Sequence, residues 1–170
     1  MKHAFAVAIA AALLAGCSPT ASAPSTSASV SAAPTPSGAS VTQWASAVAP
    51  LKADWTKMQS QWEGATCSSL AVDGGAVDCG AYIVAMGFTA DTINLKAQAM
   101  TDSTVATGYL GTPPSEIASA YADLTEAAEK ASTAGDAVDC PGKKCLKAAF
   151  DFEMAWKSLG DALEEWEPWL

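Results

Sequence analysis

Apolar side chains recur through most of the chain at steps of three and four residues, the spacing that places them on one face of an α-helix. The first such seam consists of Trp44, Val48, Leu51, Trp55, Met58 and Trp62. Ser40 and Gln43 have the spacing of a capping box, so we expect the helix to begin there. Pro50 lies inside the seam, and because the seam keeps its phase across Pro50, one kinked helix is favoured over two pieces.

Three more seams follow, and none of the four contains a charged residue. They consist of Cys79, Ile83, Met86, Ala90, Ile93, Ala97 and Met100; of Ile117, Tyr121, Leu124, Ala128 and Ala131; and of Cys145, Ala149, Phe152, Trp156, Leu159, Leu163 and Trp166. Residues 64–78 are predicted as a loop, Pro113-Pro114 as the first turn of the third helix, and Pro168 as the stop of the fourth. No stretch alternates with period two. The pattern predicts an all-α, up-down-up-down four-helix bundle over residues 41–170.

The first residues follow a different pattern. Lys2 precedes an apolar run from Ala4 to Leu14, which is too short for a membrane span and indicates a secretory signal. The run ends in Leu14-Ala15-Gly16-Cys17, which closely resembles the lipobox of bacterial lipoproteins. The resemblance implies a signal peptide over residues 1–16, a diacylglyceryl group on the Cys17 thiol and an acylated amino terminus. It therefore implies a lipid anchor at the outer face of a bacterial membrane; an ordinary signal peptide that contains Cys17 is the alternative.

Residues 17–40 join this signal to the predicted bundle. Apart from Cys17, Val30 and Gly38 they are Ser, Ala, Thr and Pro, and none is charged. Such a segment cannot bury enough apolar surface to offset its loss of conformational entropy. We expect a disordered tether between the lipid and the domain.

Four cysteines follow Cys17, namely Cys67, Cys79, Cys140 and Cys145. An even number of cysteines in an exported protein predicts two disulfides. Sequence order favours Cys67–Cys79 and Cys140–Cys145, but an up-down bundle places both loops at the same end, so crossed pairings remain open. A zinc site of four thiolates is the less favoured alternative, because no CxxC spacing occurs.

The amino-acid composition limits the partners and the kinds of chemistry that the chain can support. The chain has 18 acidic residues against nine lysines, no arginine, and a net charge of −9. This balance argues against nucleic acid as a partner. The single histidine, His3, lies in the predicted signal, so the mature chain lacks the usual general base and the commonest metal ligand. We predict neither catalysis nor a cofactor.

All six tryptophans lie on the first and fourth predicted helices, which would be antiparallel neighbours. Trp55 should then lie near Trp156, and Trp44 near Trp166 and Trp169. In one interpretation the tryptophans are core residues; in the other, Trp44, Trp166 and Trp169 are partly exposed and bind a partner. Lys143, Lys144 and Lys147 would form the opposite tip of the bundle, which is a second candidate surface for a partner.

These features predict a membrane-anchored envelope lipoprotein that acts as a non-catalytic binding module. The partner would be an envelope protein or an incoming agent, as for the lipoproteins with which prophages block superinfection. The alternative is a carrier of a lipid or another apolar ligand in the bundle core, where Gly87 and Ala90 could leave room. An interaction module predicts an exposed apolar patch, and a carrier predicts a pocket between helices.

Overall fold

The computed structural model describes residues 38–140 and 145–170. The predictions for the signal peptide, Cys17, the tether up to residue 37, Lys143 and Lys144 lie outside this range. Within it the chain is all-α, without strands, which confirms the predicted class. The helices are α1 (Val41–Gly64), α2 (Ser69–Asp73), α3 (Val77–Ala99), α4 (Ala118–Asp136) and α5 (Cys145–Glu164), and a 3-10 turn follows at Glu167–Trp169.

Helix α1 begins at the predicted capping box. The Ser40 hydroxyl accepts a hydrogen bond from the Gln43 amide at 3.3 Å, and the Gln43 side chain accepts one from the Ser40 amide at 2.8 Å. The helix continues through Pro50, whose ring is exposed. The interpretation as one helix rather than two pieces is therefore correct.

The boundaries of three elements differ from the prediction. The loop predicted for residues 64–78 contains α2, which the Ser68 hydroxyl caps by accepting from the Ala71 amide at 3.2 Å. Five residues are too few to produce a periodic signal. Helix α4 begins at Ala118, after the turn that contains Pro113-Pro114, and α5 ends at Glu164, before the 3-10 turn that contains Pro168.

The seams form the core. All of their members are buried except Trp55 and Met58, which are partly buried. Full burial of a large apolar side chain contributes about 1.5–3 kcal/mol relative to its exposure, so the seams supply most of the stabilisation of the fold.

Three pairs of long helices make contacts that run in opposite chain directions, and each pair is therefore antiparallel. Helix α1 contacts α5 and the turn after it through Trp55–Trp156 and Lys52–Glu167. Helices α3 and α4 meet at Asp91–Ser132 and Ala97–Tyr121. Helix α4 contacts α5 at Gly135–Phe152 and, just past the end of α5, Trp166 through Ala120.

Helices α3 and α4 pack against each other where two glycines meet. A Cβ added at Gly135 would lie 3.1 Å from the Gly87 Cα and 3.3 Å from Cε2 of Phe152. A glycine inside a helix suggests that a neighbouring helix packs closely against it. Gly87 fulfils this expectation, because α4 packs against it at Gly135. At the place where the carrier hypothesis expected room, α4 packs on Gly87, and the neighbouring Ala90 is fully buried.

Both disulfides join neighbouring stretches of chain. Cys67 pairs with Cys79 and Cys140 with Cys145, with Cα–Cα distances of 5.3 and 5.2 Å, in the pairing that sequence order favours. The sequence separations are 12 and 5 residues. Closing rings of this size in the unfolded chain corresponds to about 2–3 kcal/mol of stabilisation for each disulfide.

Candidate functional site

A groove open to solvent lies between α1, α2 and α5, and we call it the aromatic groove. Its volume is about 570 Å³. Its apolar lining is Trp55, Trp62, Leu70, Met86, Phe150, Met154 and Trp156, and its polar lining includes Gln59, Ser69, Glu153 and Lys157.

The floor of the groove is formed by two stacked indoles. The rings of Trp55 and Trp156 lie 6.0 Å apart between centroids at an interplanar angle of 24°, as their helix positions predicted. Trp55 Nε1 donates to the Trp156 carbonyl at 3.1 Å, and Trp156 Nε1 donates to Gln59 Oε1 at 2.8 Å. Both indole N–H groups already have acceptors. Trp156 is buried, so the partly buried Trp55 ring supplies the apolar ring surface that the floor presents to a ligand.

Gly160 makes room for the Trp55 ring on α5. A Cβ added at Gly160 would overlap the six-membered ring of Trp55, with Cη2 at 2.6 Å and Cε2 at 2.7 Å. The ring therefore lies flat against the α5 backbone at this glycine. The sequence contained a signal for this contact, since a glycine in the interior of a helix usually has a packing reason.

Three exposed apolar side chains surround the floor. Leu70, Phe150 and Met154 are 70%, 53% and 49% exposed, respectively. Phe150 and Met154 are four residues apart and lie on the same face of α5. A hydrogen bond from the Ser69 amide to Glu153 Oε2 at 3.1 Å joins α2 to α5 and so positions Leu70 beside them. Large exposed apolar side chains that cluster at a groove are typical of binding surfaces.

The charges around the groove are mostly negative. Glu63, Glu153, Asp161 and Glu164 line it together with a single ammonium group, that of Lys157. A hydrogen bond from Lys157 to Asp161 at 2.8 Å, with the attraction between their charges, raises the pKa of Lys157. An exposed pair of this kind adds little stability. The surplus of carboxylates favours a ligand that combines an apolar anchor with positive charge.

A second depression, of about 630 Å³, lies on the outer surface of α4 and α5. Alanines, one threonine and five charged side chains line it, and four of the five charges are paired as Lys130–Glu126 and Lys147–Asp151. The hydrogen bond from Lys130, with its charge, lowers the pKa of Glu126. This depression has no aromatic surface, so it offers a ligand less binding energy than the aromatic groove.

Two of the three tryptophans near the bundle end lie in the core. Trp44 and Trp166 are fully buried, as the interpretation of the tryptophans as core residues predicts, and the alternative that these two are partly exposed is wrong. Trp44 packs edge to face on Tyr121 at 4.9 Å, and Trp166 Nε1 donates to the Ala120 carbonyl at 3.3 Å. Both lie on seams, and their seam positions determine their burial although they are close to the helix ends.

The other predicted partner-binding residues lie apart from the groove. Trp169 is partly buried and packs edge to face on Trp166 at 5.8 Å. Lys147 is exposed and forms an ion pair with Asp151.

Sequence reasoning missed the residues of the groove rim. The available signal was a second stripe on α5, where Leu146, Phe150 and Met154 recur every four residues beside the seam.

Among the residues that the structure describes, no three His, Cys, Asp or Glu side chains are grouped closely enough to hold a metal ion. None of the described helices is long and apolar enough to cross a bilayer. The chain matches no protein-family model, no curated protein and no solved structure.

Proposed function

We propose that this chain is a lipid-anchored lipoprotein of a bacterial envelope, and that its helical domain binds a partner protein without catalysing a reaction. In this proposal the domain is an up-down-up-down four-helix bundle, which the antiparallel contacts of the long helices support. Anchoring rests on the resemblance of Leu14-Ala15-Gly16-Cys17 to a lipobox. The exposed apolar rim of the aromatic groove is the observation that carries the binding role.

The groove suits an apolar or aromatic side chain presented by a protein segment. Such a side chain would contact the partly exposed Trp55 ring and cover Phe150 and Met154. Contacts with aromatic surface contribute about 0.5–1.5 kcal/mol beyond the area they bury. Basic groups that flank the anchor would meet the carboxylates of the rim. Exclusion of an incoming agent at the cell surface is one role that such a module could serve.

Site-specific photocross-linking in living cells tests this proposal. A photoreactive amino acid would replace Phe150 in one strain and Ser119, an exposed residue of α4, in the control strain. We expect a discrete protein adduct from position 150 and none from position 119. The adduct should disappear when Met154→Glu is added while the thermal unfolding curve stays unchanged. Equal adducts from both positions, or none from position 150, would contradict the assignment of the groove.

A carrier of an apolar ligand is the second candidate, because the groove volume lies in the ~300–1,000 Å³ range of small-molecule sites. Native mass spectrometry of the purified protein separates the two functions. A carrier would retain a lipid-sized adduct that Trp55→Ala removes. The interaction module would show the mass of the chain with its own modifications and no further ligand.

A further inference from the structure

Helix α3 is apolar on two opposite faces. Its inner seam is buried against the other helices, whereas Val77, Val84, Phe88 and Leu95 are 84%, 53%, 69% and 67% exposed. At ~100° per residue these four side chains fall within about 40° on the helix, on the side opposite the seam. We call them the outer stripe. A helix with apolar residues on both faces is expected to be covered on both. The described part of the chain covers only the inner seam of α3 and leaves the outer stripe exposed.

We propose that the outer stripe binds a second copy of this chain, with the two α3 helices antiparallel about a two-fold axis between Val84 and Phe88. An axis at position 86 is equally far from Val84 and Phe88, and also from Val77 and Leu95. It therefore places Val84 against Phe88 of the second copy and Val77 against Leu95 of the second copy. The stripe is complementary to itself in this arrangement, as the commonest class of homodimer requires.

Charge distribution favours a second copy over a charged partner. The chain has a net charge of −9, so two copies repel over most of their surface. Between Val77 and Leu95 only Asp78 and Asp91 are charged. The stripe is therefore a place where two acidic copies can meet with little repulsion, and it offers no charged counterpart to a strongly charged ligand.

Asp91 determines the relative direction of the two helices. It lies at the edge of the stripe, where Asp91 Oδ1 accepts a hydrogen bond from the Ser132 hydroxyl at 2.6 Å. A parallel pair in register would place the two Asp91 carboxylates opposite each other, and like charges at such close range disfavour association. In the antiparallel pair, Asp91 lies opposite Ala81, a small exposed residue. This favours the antiparallel arrangement.

The area of the stripe is sufficient for a weak, specific dimer. From Val77 to Leu95 it is about 27 Å long. A helix face of this length buries on the order of 500–600 Å² per copy, so the total reaches the ~1,000 Å² expected of a specific interface. About 20 residues separate Cys17 from Gly38 and can span up to ~65 Å, against ~35 Å for α3, so both copies of an antiparallel pair can be anchored in one membrane.

Cysteine cross-linking of the full-length chain in cells tests this proposal. Two differently tagged copies are co-expressed, one with Val77→Cys and the other with Leu95→Cys. We expect a disulfide-linked heterodimer at least tenfold above the level given by Ser119→Cys on α4. Copies that both carry Val77→Cys should stay at the control level, because the two positions lie about 27 Å apart along the axis. Cross-links between like positions, or none between Val77→Cys and Leu95→Cys, would overturn the antiparallel dimer.

Two glutamate variants test whether the contact is specific. Phe88→Glu in both copies should lower the yield of the heterodimer at least tenfold. Phe150→Glu, which changes a half-exposed phenylalanine in the aromatic groove, should leave the yield unchanged. Thermal unfolding of both variants checks that they are folded. An equal loss in both, or no loss with Phe88→Glu, would show that the outer stripe is not the contact. Because no residue of the outer stripe lines the aromatic groove, this result is independent of the proposed function.

Discussion

Substitution of Gly160 by alanine provides a direct test of the floor of the aromatic groove. The added methyl would overlap the Trp55 ring, so the ring must leave its place on α5. In an exposed helix interior the same substitution would stabilise the protein by about 1 kcal/mol, because alanine has the higher helix propensity. The clash with Trp55 and the gain in helix propensity change the free energy of unfolding in opposite directions. The sign of the measured change therefore shows whether the Trp55 ring lies on Gly160.

The opposing losses exceed the gain in helix propensity. Overpacking costs about 1–3 kcal/mol. Displacement of the Trp55 ring also removes its hydrogen bond to the Trp156 carbonyl, worth about 1 kcal/mol, and its stacking on Trp156, worth ~0.5–1.5 kcal/mol. We therefore expect Gly160→Ala to lower the free energy of unfolding by about 1.5–4.5 kcal/mol after the propensity gain is included.

Urea unfolding followed by circular dichroism gives the required free energies. In a Trp55→Ala background the clash disappears, and Gly160→Ala should then stabilise the protein by about 0.5–1 kcal/mol. Gly80→Ala is the matched control, because Gly80 lies inside α3 and its added Cβ would meet nothing within 4 Å. It should also stabilise. If Gly160→Ala stabilises the parent protein as much as Gly80→Ala does, Trp55 does not lie on α5 and the description of the groove floor is wrong.

Three further predictions concern the anchor, the core and one buried hydroxyl. Cys17→Ala should move the protein from the membrane to the soluble fraction, because no thiol remains to be acylated; full retention in the membrane would exclude the lipid anchor. Gly135→Ala should destabilise by about 1–2 kcal/mol in urea unfolding, because its Cβ would lie 3.1 Å from the Gly87 Cα, whereas Gly87→Ala, with 3.7 Å to the Gly135 Cα, should cost less. Tyr121→Phe should cost about 1 kcal/mol at neutral pH, because the hydroxyl donates to the Ala97 carbonyl at 2.8 Å. Burial raises the pKa of Tyr121 above its ordinary value of 10.0, and its hydrogen bond with Thr101 opposes this less strongly. The hydroxyl therefore stabilises the fold below pH 10.0, and unfolding measured at rising pH should show the difference from the variant shrinking above that value.

The fold class and the core could be predicted because the seams carry a strong and repeated signal. Trp44 and Trp166 show the strength of this signal, because their seam positions led to burial even near helix ends. Helix α2 could not be predicted in the same way, since its five residues depend on the cap at Ser68 and on the bond from Ser69 to Glu153. The cap is a local contact with Ala71, whereas the bond to Glu153 depends on tertiary packing, and neither is visible in hydrophobic periodicity.

The candidate site was less predictable, because only some of its residues lie on a seam and not all of those are buried. Trp55 occupies a seam position, yet it remains partly exposed since its ring lies on α5 at Gly160 and faces the groove. Phe150 and Met154 belong to a second, shorter apolar stripe of α5, which was overlooked because the seam of the same helix is longer. A search for every apolar stripe on each helix would have found these residues and also the outer stripe of α3.

The short separation of the paired cysteines has a consequence for the maturation of the chain. Four thiols allow three ways to form two disulfides, and loop-closure entropy favours the pairs that are nearest in sequence. Here the nearest pairs are also the native pairs, at separations of 12 and 5 residues. If the chain is exported with its N-terminus first, as the proposed lipoprotein would be, the Cys67–Cys79 ring can close before α4 and α5 have entered the oxidising compartment. The order in which the cysteines arrive would then favour the native bonds with little help from a disulfide isomerase.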